Sequence, residues 1–239
     1  MIFIQADFFT YKFDRTFKVI TTDPPYKGCL TNQLQEQNFD SDWFMQRCDE
    51  ITEDVAVLVS FTNFMMIQDL RDSAKKTNWE FKTYMVWDKA PTRTWYSWSR
   101  PLRTCEFILY FTKGGFPLDF RTGEIKPGVK RSSFGGQLKT QSGLNIREVS
   151  YGMYGEVVRF RSPRKRVHPT QKPEEFSTMF KQILKTEEIL DPFCGSGALL
   201  KDFPQGVGMD IVDWTKRAEL KKAKSQTLIQ TKLSMGELK

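Results

Sequence analysis

The sequence is poor in metal-binding residues and has no long apolar run. Its 239 residues include one histidine and four cysteines, and the cysteines lack the paired spacing that is typical of zinc sites. We therefore expect no metal centre, and we expect the reduced thiols of a cytoplasmic protein. No apolar run approaches the ~18 residues that span a bilayer. The N-terminal residues also lack the basic segment and cleavage site of a secretory signal.

Acidic residues are in the minority, and the positive excess is unevenly distributed. The formal net charge is +7. Between Arg121 and Lys172, twelve Lys and Arg residues stand against three acidic ones, so this region carries a larger excess than the whole chain. The overlapping segment 114–167 contains nine glycines and shows little periodicity. It is predicted to be either an inserted functional element or a solvated basic loop, and the charge favours a polyanionic partner.

The remaining chain alternates short apolar runs with helical patterns. Strands are predicted at 2–4, 17–20, 55–59, 81–87, 105–111, 188–190 and 206–209. Apolar positions recur at helical spacing in 41–51, 64–74 and 173–184. Ser41 is expected to cap the first helix, and Pro173 is expected to open the third. This alternation indicates a single α/β domain over 1–239, with a mostly parallel sheet covered on both faces.

The first candidate site is DPPY, residues 23–26, which follows a predicted strand. Open α/β sheets bind ligands at the carboxyl ends of their strands. Pro24 and Pro25 stiffen the strand exit and remove two donors, so Asp23 and the neighbouring carbonyls form a set of acceptors. These acceptors suit an exocyclic amino group, and Tyr26 offers a stacking face for a planar ring. Taken alone, DPPY is equally compatible with a simple turn.

The second candidate site is DPFCGSG, residues 191–197, where a predicted strand runs into a glycine-rich turn. Glycines let the backbone approach a ligand, and the helix start that follows favours negative charge. The spacing is not GxGxxG, so a dinucleotide site is a poor match. Asp210 ends the next predicted strand, where an acidic side chain can accept from ribose hydroxyls. Cys194 has no adjacent base and is expected to be a packing residue.

Together with HPTQKP at 168–173, these motifs resemble those of the S-adenosylmethionine-dependent DNA amino-methyltransferases. The order matches the permuted class, in which the catalytic motif precedes the cofactor motif. The likeness covers nearly the whole chain and includes WDK at 87–89 and CEFILYFTKG at 105–114. It implies a class I, Rossmann-like methyltransferase fold with a mostly parallel, seven-stranded, circularly permuted sheet. A permuted sheet would bring the first predicted strand beside residues 207–210.

The resemblance also implies roles for individual residues. Asp23 and the Pro24 carbonyl would accept from the target amino group within the catalytic motif that Pro25 completes, and Tyr26 would stack on a flipped base. The residues implied in binding S-adenosylmethionine are Asp191, Phe193, Gly195, Ser196 and Gly197 for its methionine part, Asp210 for its ribose, Lys172 near its carboxylate and Asp7 for its adenine. Asp7 stands in Ala-Asp where the family often has Gly-Asp. His168 is expected to serve loop architecture rather than to act as a base.

The partner that the resemblance implies is DNA, expected to be double-stranded, with 114–167 as the target-recognition region. The basic side chains expected to contact phosphates are Arg159, Arg161, Arg164, Lys165, Arg166 and Arg100. Arg100 lies in TWYSWSRPLR, which suits either stacking and phosphate contact or a plain strand connection. A homodimer is compatible with the sequence but not required by it, and no membrane partner is expected.

Three functions compete. Adenine N6 methylation is favoured because the catalytic motif begins with Asp, whereas the family's cytosine N4 members more often carry Ser there. RNA and protein methyltransferases are related in fold, but their cofactor motif usually comes first. A DNA-binding relative without activity is the third reading, and the complete DPPY and glycine motifs argue against it.

Overall fold

The computed structural model describes residues 1–25, 39–89, 104–126, 150–163, 168 and 170–214. The described strands are β1 (Ile2–Gln5), β2 (Phe17–Thr22), β3 (Thr52–Thr62), β4 (Glu80–Asp88), β5 (Cys105–Lys113), β6 (Arg121–Lys126), β7 (Ser150–Met153), β8 (Val157–Arg159), β9 (Leu190–Asp191) and β10 (Val207–Asp210). The described helices are α1 (Ser41–Glu50), α2 (Ile67–Ala74) and α3 (Glu175–Leu184), with 3₁₀ turns at Phe64–Met66 and Ala198–Leu200.

The main sheet has eight strands in the order β1-β10-β9-β2-β3-β5-β4-β8. Every neighbouring pair is parallel except the two pairs that involve β5. β1 pairs with β10, with Ile2 opposite Val207. The predicted permutation is therefore confirmed, because the strands that come first and last along the chain, β1 and β10, lie side by side in the sheet.

The sheet contains one strand more than the predicted seven. The additional strand is β8, which pairs with β4 and comes from the segment 114–167. A three-residue strand is too short to show periodicity, so the sequence pattern gave no signal for it. The same segment contributes β6 and β7, which form a separate two-stranded antiparallel sheet.

The helices begin at different residues from those predicted. Asp40, rather than Ser41, caps α1, since its carboxylate accepts from the backbone N–H groups of Asp42 and Trp43 at 2.9 and 3.1 Å. Phe64 was predicted on a buried face but is 75% exposed. It lies in a 3₁₀ turn, whose tighter winding breaks the 3.6-residue spacing on which that prediction rested. α3 begins at Glu175, two residues after Pro173.

The central strands are buried on both faces. All residues of β3 from Ala56 to Thr62 are buried, as expected of a strand covered from two sides. On one of these faces Phe61 packs edge-to-face against Phe176 and Phe180 of α3, with ring centroids 4.9 and 6.0 Å apart. α1 packs on β3 and α2 on β4. In the described part of the chain, no helix has the length and hydrophobicity needed to cross a membrane.

Candidate active site

The carboxyl ends of the parallel strands meet at one edge of the main sheet. β2, β9 and β10 bring Asp23, Asp191 and Asp210 to this edge. β5 runs in the opposite direction, so its first residues, Cys105 and Glu106, lie at the same edge. The topology therefore gathers acidic side chains from distant parts of the sequence where open α/β sheets bind their ligands.

A cleft at this edge is lined by all three sequence motifs. Its lining residues are Asp23, His168, Thr170, Gln171, Lys172, Asp191, Phe193, Cys194, Gly195, Ser196, Ala198 and Leu199. The enclosed part measures about 30 Å³, which has room for little more than water. A ligand of nucleoside size must therefore occupy the open mouth of the cleft.

The DPPY motif lies at the strand exit that the sequence predicted. Asp23 follows β2 directly and its side chain is 17% exposed. Pro24 is buried and Pro25 is half-buried. Tyr26 lies outside the described residues.

The DPFCGSG motif is a tight turn whose glycines adopt conformations that other residues rarely reach. Gly195 and Gly197 have φ values of +51° and +77°, so a side chain at either position would strain the backbone. The Asp191 carboxylate accepts from the Phe193 N–H at 3.2 Å. The Phe193 ring packs among other aromatic rings, with its centroid 5.7 Å from that of Phe8. The Ser196 side chain lies at the cleft wall.

Asp210 links the glycine turn to the last strand. One of its carboxylate oxygens accepts from Gly195 N–H at 3.0 Å, and the other accepts from Val212 N–H at 3.0 Å. Its backbone carbonyl accepts from Ala6 N–H at 3.1 Å. This hydrogen bond holds Ala6, the residue before Asp7, next to Asp210. Asp7 is exposed, and its carboxylate accepts from Phe9 N–H at 3.0 Å. Both residues implied in binding the cofactor's nucleoside part therefore lie side by side at this edge.

Burial shifts the pKa values of three groups that line the cleft. Burial, reinforced by the charges of Asp23 and Asp210, raises the pKa of Asp191 to about 8. It also raises the pKa of the Cys194 thiol, so the thiol stays neutral, as befits a packing residue. Burial lowers the pKa of His168, whose Nδ1 lies 3.1 Å from the Thr170 hydroxyl. The imidazole is thereby kept neutral and packs against Gly195.

A series of ion pairs with alternating charges begins at the cleft with Asp23 and Lys172 and continues through Glu106 and Lys89. The Lys172 ammonium is ion-paired with the Asp23 carboxylate, and it lies 3.2 Å from Glu106 Oε2. The other Glu106 oxygen accepts from Lys89 Nζ at 2.7 Å. Burial alone would raise the pKa of Glu106, but the two ammonium groups outweigh burial and lower it. Burial alone would lower the pKa of Lys172, and the two carboxylates reverse the effect and raise it.

The sequence analysis missed Glu106 and Lys89 as site residues. Both stand inside stretches that resemble family strands, CEFILYFTKG and WDK. The available signal was their placement at predicted strand ends: Glu106 is the single charged residue of the predicted strand 105–111, near its start, and Lys89 stands two residues after the predicted strand 81–87. That signal locates the two residues at the edge but does not pair them, because the pairing depends on β5 running antiparallel to β3 and β4.

Two of the six predicted phosphate-binding residues are described. Arg159 ends β8 and is 80% exposed, and its Nε lies 2.9 Å from Asp88 Oδ2. Arg161 is also exposed. The four others lie outside the described residues: Arg100, Arg164, Lys165 and Arg166. β8 brings Arg159 to the same sheet edge as the cleft.

A permuted, mostly parallel sheet with an acidic and glycine-rich cleft at its carboxyl edge defines a class I methyltransferase. The chain belongs to the N6/N4 DNA methylase family, whose sequence profile matches residues 17–201. Comparison with curated protein sequences gives no significant match.

Two solved structures are similar over almost the full length of the chain. A crystal structure of an M1.HpyAVI–SAM complex aligns with a TM-score of 0.62 at 20% identity, covering 92% of this chain and 98% of that one. A crystal structure of M1.HpyAVI aligns with a TM-score of 0.62 at 18% identity, covering 91% of this chain and 96% of that one. At 20% and 18% sequence identity, the similarity to these two structures shows a shared fold and nothing further.

Proposed function

We propose that the protein transfers a methyl group from S-adenosylmethionine to the exocyclic N6 amino group of an adenine flipped out of double-stranded DNA. The observation that carries this proposal is the shared cleft, where Asp23 of DPPY and the Asp191–Gly197 turn line the same walls. A carboxylate for the amino group therefore lies beside a glycine turn suited to the cofactor.

The cleft residues fit S-adenosylmethionine, the methyl donor of this family. The glycines of the turn carry no side chain, so the main chain of the turn can come close to the ligand. Asp191 is a buried acid that gains a partner if it faces the ammonium of the cofactor's methionine part. Asp210 is assigned to hold the ribose and Asp7 to hold the adenine. When bound, the cofactor supplies an electrophilic methyl group.

The chemistry that remains for the protein is to orient a weak nucleophile. The lone pair of an exocyclic amino group is delocalised into the ring, so the nitrogen must turn pyramidal to react. A carboxylate and a carbonyl that accept its hydrogens favour this geometry and stabilise the developing positive charge. Asp23 and the Pro24 carbonyl are assigned these two roles. Tyr26 is assigned to stack on the base.

Adenine is preferred to cytosine because the motif begins with Asp23, and cytosine N4 members of the family more often have Ser at this position. Selection of the DNA sequence is assigned to the segment 114–167. Phosphate contacts are assigned to Arg100 and to five residues of this segment: Arg159, Arg161, Arg164, Lys165 and Arg166.

The test is methylation of unmethylated plasmid DNA by the purified protein with isotopically labelled S-adenosylmethionine. Modified nucleosides are then identified by mass spectrometry. The proposal predicts N6-methyladenine in a defined sequence context. N4-methylcytosine would support the alternative specificity, and absence of any methylated nucleoside, with DNA binding retained, would indicate the relative without activity.

A further inference from the structure

Lys172 is a buried cation at the centre of the cleft floor. Its side chain is 5% exposed. The ammonium lies over the rings of Phe61 and Trp87, at 5.0 and 5.9 Å from their centroids. It is ion-paired with Asp23 on one side and with Glu106 on the other. The group is therefore shielded from water and fixed by partners on several sides.

A buried charge costs free energy unless its partners compensate it. The Lys172 ammonium meets two carboxylates, and Lys89 balances the second of them at Glu106. Two cations and two anions thus alternate in a chain of ion pairs, and their charges sum to zero. Removing one member leaves a net charge on the remaining three, so the four groups are electrostatically coupled.

We propose that Lys172 is a positioning residue for the Asp23 carboxylate, held in place by Glu106 and Lys89, rather than a ligand of the cofactor's carboxylate. The inference rests on the proposed function, because it assigns to Asp23 the contact with the target amino group. Lys172 keeps the Asp23 carboxylate oriented and favours its ionised form, which can accept hydrogen bonds.

The charged surroundings of Asp23 come from several elements. Lys172 stands in the loop before α3, and Glu106 stands at the start of β5. Asp191, the last residue of β9, and His168 also lie within electrostatic reach of Asp23. Among these groups Lys172 supplies the positive charge, so its removal takes away the cation that is paired with the Asp23 carboxylate.

The test compares Lys172→Met, Glu106→Gln and the double variant with wild type. Lys75→Met serves as the control, since it removes an exposed lysine that is paired with Asp72 on α2. Two quantities are measured for each protein. Calorimetry gives the Kd for S-adenosylmethionine, and methylation of unmethylated plasmid DNA with tritiated S-adenosylmethionine gives kcat between pH 5 and 9.

We expect Lys172→Met to lower kcat by about tenfold to a hundredfold, the range for removing a charged hydrogen bond. The acidic limb of the kcat profile should move up by about one to three pH units. The Kd for S-adenosylmethionine should stay within about threefold of wild type. The double variant should recover part of the limb shift, because Glu106→Gln returns the net charge of the four positions to zero, with Asp23 and Lys89 remaining. Lys75→Met should match wild type in both measurements.

The opposite pattern would overturn the inference. If Lys172 is a ligand of the cofactor, Lys172→Met weakens S-adenosylmethionine binding by tenfold or more and Glu106→Gln restores nothing. Should Lys172→Met fail to fold, Glu106→Gln decides, because it changes one charge and almost no volume. In Glu106→Gln, Asp23 is the carboxylate that remains paired with the Lys172 ammonium. The ammonium then competes with the target base for the Asp23 carboxylate, so kcat should fall about tenfold while the Kd for S-adenosylmethionine stays unchanged. An unchanged kcat would contradict the positioning role. If wild type methylates no DNA, the proposed function fails before this comparison begins.

Discussion

Burial and pairing, more than residue type, decide which acids in the cleft carry charge. Asp191 and Asp23 lie at the ends of neighbouring strands, but their surroundings differ. Asp191 is fully buried, accepts from a backbone N–H and has a pKa raised to about 8. Asp23 has a lysine ammonium against its carboxylate. The two carboxyl groups therefore meet different electrostatic surroundings, burial at Asp191 and a paired cation at Asp23.

The raised pKa of Asp191 predicts a pH-dependent stability. The carboxyl titrates at about 8 when folded and near 3.8 when unfolded. Between these values the folded state binds more protons than the unfolded state, so this group makes stability fall as pH rises from about 4 to about 8. In urea unfolding without cofactor, Asp191→Asn should gain stability relative to wild type as pH increases from 5 to 8. A difference that stays constant over this range would show that Asp191 ionises normally.

Motifs and strand order could be predicted from the sequence because they depend on local pattern. The strand that precedes DPPY, the strand that precedes DPFCGSG and the pairing of β1 with β10 were all predicted and are found. The Asp40 cap was not predicted because Ser41 beside it is an equally common capping residue. β8 and the exposure of Phe64 were not predicted either, since the first depends on tertiary pairing and the second on one turn of unusual winding. The ion pair of Lys172 with Glu106 was missed for the same reason. It joins two residues 66 positions apart through the packing of β5 and the loop before α3.

The close approach of β10 to the glycine turn predicts a steric sensitivity at Gly208. A Cβ atom there would lie 2.8 Å from Cys194 Sγ and 2.9 Å from Leu200 Cδ1. Gly208→Ala should therefore destabilise the fold by about 1–3 kcal/mol and weaken S-adenosylmethionine binding by displacing the turn. Urea unfolding and calorimetry measure the two effects.

Gly155→Ala is the matched control, because the nearest atoms to its Cβ would be 4.0 Å away. Cys194→Ala should relieve part of the cost of Gly208→Ala, since it removes the closest atom. Equal stability of Gly208→Ala and Gly155→Ala would contradict the close packing of β10 on the turn.

Charge divides the molecule into a basic segment and a nearly neutral remainder. The whole chain has a net charge of +7, and the region from Arg121 to Lys172 contains a larger excess. Phosphate attraction should therefore arise mainly from this region, because the remaining chain has no net positive charge to offer.

Neutralising Arg164, Lys165 and Arg166 together should weaken binding to all DNA sequences. The logarithmic dependence of affinity on salt concentration should flatten, by a slope of roughly one for each phosphate that the variant no longer neutralises. Methyl transfer at saturating DNA should survive, because none of the three belongs to the catalytic motif. Superimposable salt titrations of variant and wild type would mean that this basic run is solvated surface, with Arg93, Arg100 and Arg103 as the next candidates.

The central claim is that the sheet edge around the cleft serves two functions, with Asp23 assigned to the base and Asp210 assigned to the cofactor. The most direct measurement determines the Kd for S-adenosylmethionine and the rate of methyl transfer for Asp23→Ala and Asp210→Ala side by side. Asp23→Ala should abolish transfer and leave the Kd nearly unchanged. Asp210→Ala should weaken cofactor binding by the equivalent of about 1.5–3 kcal/mol for each charged hydrogen bond removed. Calorimetry that shows weak cofactor binding in Asp23→Ala and normal binding in Asp210→Ala would contradict this division of the cleft.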